Sequence, residues 1–196
     1  MSEKLQKVLA GHGLGSRREM ERWIEAGRIR VNGEPATLGL RVTPKDKLSV
    51  DGRPLKAPAA SAQRRRVILF NKPEGVISTS NDPEGRKTVF ASLPQIQDAR
   101  WIAIGRLDLN TSGLMLFTTD GELANKLMHP STRIEREYLC RVSGEVTDEM
   151  LEQLRAGVEL DDGMAKFSAI RVQGGRGYNR WFSVVIQEGR NREVRR

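Results

Sequence analysis

The chain is expected to fold as an α+β protein, with a small basic N-terminal unit followed by a larger domain built on a mixed or antiparallel sheet. Three observations lead there. Apolar runs of strand length dominate after residue 66, helical stretches are interspersed among them without regular strand–helix–strand alternation, and basic charge is concentrated at the start. Of the formal net charge of +8, residues 1–63 carry +5, from 12 Lys and Arg against 7 Asp and Glu.

The elements follow in order. Leu5, Val8 and Leu9 fall at helical spacing, and Gly11, Gly13 and Gly15 then break the pattern. Ser16 with Glu19 three residues on is a capping-box pattern, and Met20, Trp23 and Ile24 supply an apolar face, so a second helix is expected to about Ala26. Residues 28–31 alternate like a strand and lead into Asn32-Gly33, a dipeptide favoured in tight hairpins. Leu48, Val50 and a turn at Asp51-Gly52 complete the unit. The segment PLKAPAASAQRRR at 54–66 lacks apolar periodicity and reads as a linker. The domain scheme is therefore 1–53, a linker at 54–66, and 67–196. In the last part VILFN (67–71), WIAIG (101–105), LMLFT (114–118) and WFSVVI (181–186) read as strands, and residues 119–130 and 147–155 as helices.

Composition excludes several classes. Hydrophobic residues at 38% and charged residues at 30% fit a soluble globular protein, and no apolar run approaches a bilayer-spanning length. The N-terminus lacks an apolar core followed by small residues, so no secretory signal is read and a cytoplasmic location is expected. One cysteine, Cys140, and two histidines, His12 and His129, are too few for a zinc site, so no metal is expected. The basic balance points to a polyanion, most often nucleic acid. Arg17, Arg18 and Arg22 lie at or near the start of the second helix, where phosphate is attracted, although a solvated helix face has the same composition.

KLQKVLAGHGLGSRREMERWIEAGRIRVNG, within residues 3–50, resembles the alpha-L RNA-binding domain of ribosomal small-subunit protein four. The resemblance implies that Ser16, Arg17, Arg18, Arg28, Asn32 and Gly33 mark the RNA-facing edge. Such a domain reads RNA by phosphates and shape.

The stretch GRLDLNTSGL at 105–114 is, by residue type, a polar turn between two strands. An aspartate there is a credible nucleophile only if a cation keeps it ionised, and Arg106, Arg192 and Arg195 are the candidates. Asp82, Asp120, Asp161 and Asp162 read as turn or cap residues. GRLDLNTSGLMLFTTDGELANKLMHP resembles the signature of the RsuA and RluB group of ribosomal RNA pseudouridine synthases. FNKPEGVISTSNDPEGRKTVF (70–90), REYLCRVSG (136–144), LDDG (160–163) and EGRNREVRR (188–196) agree with it in order.

The resemblance implies that Asp108 is the catalytic nucleophile acting on the ribose of a flipped-out uridine. It implies that Arg106 fills the space the base vacates, and that Tyr138 stacks on the uracil and is placed to assist proton removal. It further implies that Arg195, with Arg192 as the weaker candidate, pairs with Asp108. No organic cofactor is implied, the partner is ribosomal RNA, and a monomer is expected. NDPEGRKTVF and ARWIAIGRLD look closer to the RluB-like members, so a large-subunit target is expected. The alternatives are a small-subunit target or a non-catalytic RNA-binding or ribosome-assembly factor. Members of the group continue for several tens of residues beyond this motif, so a catalytic domain truncated at its C-terminus is expected.

Overall fold

The computed structural model describes residues 2–56, 64–97 and 99–196, and the chain divides into two compact units, Met1–Ala124 and Asn125–Arg196. The first unit begins with β1 (Glu3–Lys4), α1 (Leu5–Gly11) and α2 (Arg17–Glu25). The capping box that the sequence encodes is fully formed: Ser16 Oγ accepts from Glu19 N at 3.1 Å, and Glu19 Oε2 accepts from Ser16 N at 3.4 Å. Two of the orphan N–H groups at this helix end are thereby satisfied.

Four short strands follow α2: β2 (Ile29–Val31), β3 (Glu34–Pro35), β4 (Arg41–Val42) and β5 (Leu48–Val50). After these comes β6 (Arg53–Pro54). Asn32 and Gly33 join β2 to β3 with φ of 53° and 93°, the backbone a two-residue hairpin needs. Sheet order is β3-β2-β5-β6, and β1 pairs separately with β4. Leu5, Leu9, Met20 and Ile29 are wholly buried beneath the two helices. Truncating any one of them to alanine would cost about 2–5 kcal/mol.

The linker expected at 54–66 is described only in part, and residues 57–63 lie outside the described residues. Beyond them β7 (Val67–Lys72), β8 (Ile102–Ile104) and β9 (Gly113–Thr118) form an antiparallel sheet with β9 in the centre. Period-two alternation puts Ile68 and Phe70 with Met115 and Phe117 in one apolar cluster. Phe117 is fully buried, with Phe70 and Phe90 edge-on to it at 6.0 and 5.4 Å. Between β7 and β8, residues 79–86 close on themselves: Asp82 Oδ2 accepts from Arg86 N at 2.7 Å, and Arg86 Nη2 meets Asp82 Oδ1 at 2.8 Å. Asp120 opens α3 (Gly121–Met128) by accepting from Glu122 N and Leu123 N at 2.8 and 3.0 Å. Asp82 and Asp120 thus act as turn and cap residues.

The second unit contains β10 (Arg136–Ser143), α4 (Asp148–Ala156), β11 (Val158–Leu160), β12 (Gly163–Ala165), β13 (Ala169–Arg176) and β14 (Asn179–Ile186). β14 lies between β10 and β13, antiparallel to both. Thr147 caps α4 by accepting from Met150 N at 3.3 Å. Leu151 of this helix is buried with Ile170, Phe182 and Val184 of the sheet. Every ladder between described strands is antiparallel. A single isolated bridge, between Ile77 and Thr88, is parallel. The strand readings at 67–71, 101–105, 114–118 and 181–186 correspond to β7, β8, β9 and β14. The β11–β12 hairpin and β13 carry no such signal, because the hairpin strands are three residues long and Gly174 and Gly175 interrupt β13.

Candidate active site and RNA-facing surface

Asp108 is half-buried in the connection between β8 and β9. The loop around it is held by a segment far earlier in sequence. Ser78 Oγ donates to Leu107 O at 2.7 Å and accepts from Leu107 N at 3.2 Å. Lys72 Nζ donates to Leu109 O at 3.2 Å, to Thr111 O at 2.8 Å and to Pro73 O at 3.0 Å. Gly75 N donates to the same Leu109 O at 2.9 Å, and Thr111 N donates to Asp108 O at 3.0 Å. The nucleophile candidate is therefore fixed through its backbone on both sides.

Lys72 is wholly buried. Burial pushes its ammonium below the ordinary lysine range, and the negative charges of Glu74 and Asp108 oppose that shift. An ammonium satisfied by neutral carbonyls keeps its positive charge available to a nearby carboxylate. Lys72 was not among the cations singled out from sequence, although a signal was present: it lies in phase with Ile68 and Phe70, at an inward strand position where a charge is costly without partners.

Tyr138 and Arg195 belong to the second unit, whereas Arg106 and Asp108 belong to the first. Arg106 is exposed in the loop preceding Asp108. Tyr138 lies on β10 opposite Val184 and packs, half-buried, against the apolar cluster under α4. Arg195 lines an apolar cavity of about 340 Å³ whose wall includes Cys140, Leu151, Phe182 and Val184. Burial raises the Cys140 thiol, and the positive charge of Arg195 works against that rise. The segment carrying Arg195 is fastened rather than frayed. Arg190 Nη1 reaches Asp162 Oδ1 at 2.9 Å and Gly163 O at 3.1 Å, and Arg196 Nη1 meets the same Asp162 Oδ1 at 2.9 Å. These cations hold the Asp162 carboxyl below its usual range, with the hydrogen bond from Arg196 the largest cause. Arg192, the other candidate, adopts a left-handed backbone with φ of 51°.

The expected RNA-facing residues divide by what they do. Arg17 and Arg18 are exposed on the first turn of α2, while Ser16 is spent on its cap. Arg28 stacks 4.0 Å over the Trp23 ring and pairs with Asp51, Nη2 to Oδ2 at 2.6 Å. Asn32 donates to Asp46 Oδ1 and accepts from Lys47 N, both at 2.8 Å, and Gly33 O accepts from Arg30 Nη1 at 2.9 Å. Four of the six thus shape the edge, and two arginines present charge to solvent. Among the described residues no cluster of His, Cys, Asp and Glu could hold a metal, and no helix is long and apolar enough to cross a membrane.

Residues 66–196 match the family model described as RNA pseudouridylate synthase. The chain belongs to that family. A second family model, the S4 domain, matches residues 3–48 of this pseudouridylate synthase family member, the stretch likened above to the domain of ribosomal small-subunit protein four. Ribosomal large subunit pseudouridine synthase B of Pseudomonas aeruginosa is 57% identical over 197 residues, covering all of this chain and 51% of the relative. The proteins of the same name from Salmonella typhi and Escherichia coli K12 are 58% identical over 198 residues, all of this chain and 68% of theirs. The chain thus spans about half the length of the first relative and about two thirds of the others. A solved crystal structure of a pseudouridylate synthase superposes with a TM-score of 0.62 at 23% identity, covering 98% of this chain and 80% of that one. That likeness bears on the fold alone.

Proposed function

We propose that this chain carries the RNA-binding and nucleophile-bearing parts of an enzyme that converts a specific uridine of large-subunit ribosomal RNA to pseudouridine. The observation that carries the reading is Asp108, half-buried on a loop fixed from Lys72 and Ser78, in a chain of this family. The names of the relatives support the large-subunit target. Three parts are proposed: an RNA-binding domain at 1–53, a linker at 54–66 and a catalytic domain at 67–196. The protein works as a monomer in the cytoplasm.

The target uridine leaves its stack at a cost of a few kcal/mol, and Arg106 occupies the gap. The Asp108 carboxylate either attacks the ribose C1′ as a covalent nucleophile and displaces the base, or takes a proton from C2′ so that the base leaves and a glycal forms. The glycosidic C–N bond breaks and the uracil rotates while bound; C5 then bonds to C1′ as the Asp108 ester is released or the glycal regains its C2′ proton, the C5 proton leaves with Tyr138 placed to assist, and N1 takes up a proton. Tyr138 stacks on the uracil, a contact worth about 1–3 kcal/mol. Arg195 keeps Asp108 ionised, with Arg192 the alternative. These steps use side chains alone, without a cofactor.

The test is carbodiimide mapping of pseudouridine on both ribosomal RNAs from cells lacking the gene, complemented with the full-length protein or its Asp108→Asn variant. Loss of one large-subunit pseudouridine in the variant is expected. Restoration by the variant equal to wild type would remove Asp108 from the chemistry. A small-subunit loss would move the target, and no loss in the gene-deleted cells would favour a non-catalytic ribosome-assembly role.

A further inference from the structure

Glu193 lines the same largely apolar cavity as Arg195, and its side chain is only 3% exposed. A buried carboxylate is costly unless it is both paired and hydrogen-bonded. Arg190 supplies both. Glu193 Oε2 accepts from Arg190 N at 2.8 Å, and Glu193 Oε1 accepts from Arg190 Nε at 3.2 Å, with Nη2 at 3.1 Å. The same guanidinium reaches the β11–β12 hairpin. There Nη1 donates to Asp162 Oδ1 at 2.9 Å and to Gly163 O at 3.1 Å, and Nη2 donates to Met164 O at 2.9 Å. Glu188 completes the cluster, its Oε2 lying 3.5 Å from Arg190 Nε.

Between these fixed points the backbone folds tightly. Glu193 N donates to Arg190 O at 3.4 Å, and Arg195 N and Arg196 N both donate to Arg192 O, at 2.9 and 3.0 Å. On one side of Arg195, Val194 packs into the apolar cluster beneath α4. On the other, Arg196 Nη1 and Nη2 meet Asp162 Oδ1 and Oδ2 at 2.9 and 3.0 Å. Asp162 thus holds Arg190 and Arg196 at once. Apolar side chains would fill this space with less desolvation, but forked, charge-assisted bonds fix a single geometry.

We propose that Arg190 and Glu193 are positioning residues that aim Arg195, acting through the backbone and the β11–β12 hairpin without touching the substrate. The proposal rests on the role given above to Arg195 and adds the parts that hold it. Without this bracket Arg195 keeps its charge and loses its place, and a more distant guanidinium favours an ionised carboxylate less. A misplacement of about 1 Å at a reacting centre lowers a rate by up to about a hundredfold.

The test uses the full-length protein and a labelled large-subunit ribosomal RNA fragment. The variants are Arg190→Lys, which keeps the charge and loses the fork, Glu193→Gln, Arg195→Gln, and Arg190→Lys combined with Arg195→Gln. Single-turnover rates at saturating RNA are measured across pH, where the acid limb reports the group that must be ionised in the bound complex. Arg190→Lys and Glu193→Gln should each lower the rate more than about tenfold and move the acid limb up by about one pH unit, with RNA affinity within about twofold of wild type. The double variant should match Arg195→Gln within about twofold, because Arg190 acts only through Arg195.

A second readout needs no turnover. Cys140 shares the cavity with Arg195, whose charge opposes the rise of the thiol. Thiolate absorbance, with Cys140→Ser as the blank, should show the thiol titrating higher in Arg190→Lys, although that variant removes no charge. Arg190→Lys carries the test where Glu193→Gln folds poorly. Folded variants with the wild-type rate and acid limb would overturn the bracket, even where they melt at a lower temperature, and so would losses that multiply in the double variant. Arg195→Gln with the wild-type rate and acid limb would strike the role of Arg195 and the bracket with it. A raised thiol titration in Arg190→Lys, in a protein whose wild type does not isomerise the fragment, would uphold the bracket and strike the proposed function instead.

Discussion

Replacing Lys72 with methionine is the most informative perturbation of the loop that carries Asp108. Methionine is similar in length and apolar, so the wholly buried stem is conserved in volume while the three Nζ hydrogen bonds to Pro73 O, Leu109 O and Thr111 O are lost. Leu109 O keeps the donor Gly75 N, which leaves Pro73 O and Thr111 O as the carbonyls deprived of this partner. Each lost charge-assisted bond to a buried carbonyl costs about 1–3 kcal/mol. The variant no longer has to bury an ammonium, and that relief offsets part of the loss. A net destabilisation of about 2–3 kcal/mol is expected. Urea unfolding should show a lower midpoint at unchanged m. On the proposed function, single-turnover isomerisation at saturating RNA should fall by more than about tenfold, with RNA affinity within about twofold, because the loss lies in the aim of Asp108. The sign of the pH dependence is fixed as well. Burial lowers the Lys72 ammonium in the folded state, so between that value and the unfolded one the unfolded chain binds more protons and stability rises with pH. The stability gap between wild type and Lys72→Met should therefore widen as pH climbs toward the ordinary lysine value. A variant with the wild-type urea midpoint and the wild-type single-turnover rate would refute the clamp.

Three further outcomes follow from geometry. Ser16→Ala removes the hydroxyl acceptor of the capping box and should cost about 1 kcal/mol, read as a lower melting temperature; an unchanged value would mean that the cap is dispensable. Gly13→Ala forces a left-handed backbone on alanine and sets its Cβ 2.9 Å from Ala99 N. A loss of more than about 1 kcal/mol is expected, and equal thermal stability of variant and wild type would contradict the close approach. Asp162→Asn breaks the pairs to Arg190 and Arg196. Because the folded carboxyl is held below its ordinary value, its contribution is present above the unfolded carboxylate pKa and fades as pH falls through the folded one. The variant should lose stability at neutral pH and show a shallower decline in acid, while parallel acid-unfolding curves would exclude that role.

Local signals were the ones readable in advance. Ser16 with Glu19 forms its box among neighbours three residues apart, and Asn32-Gly33 makes its turn through the positive φ of two adjacent residues, so both were legible. The strands β7, β9 and β14 announced themselves through apolar runs that a sheet buries on one face. The β11–β12 hairpin and β13 escaped because Gly174 and Gly175 dilute one pattern and a two-residue turn dominates the other. At the site, the aspartate and its turn were visible, but what holds them was not. The bonds from Lys72 to Leu109 and Thr111 join residues 37 and 39 apart in sequence, and periodicity over a short window does not report pairings at that range. Arg28 and Asn32 illustrate the converse: a motif marks them as an edge, while their side chains are occupied by Asp51, Asp46 and Lys47 N.

The described hold on the Asp108 loop begins at Lys72 and ends at Ser78, and the loop that follows at residues 79–86 closes on itself through Asp82 and Arg86. Anchorage and variability are thus separated along the chain. A lineage, or an engineer, could redraw that loop to meet a different RNA contour while leaving in place the bonds from Lys72, Gly75 and Ser78 that fix the backbone on either side of Asp108.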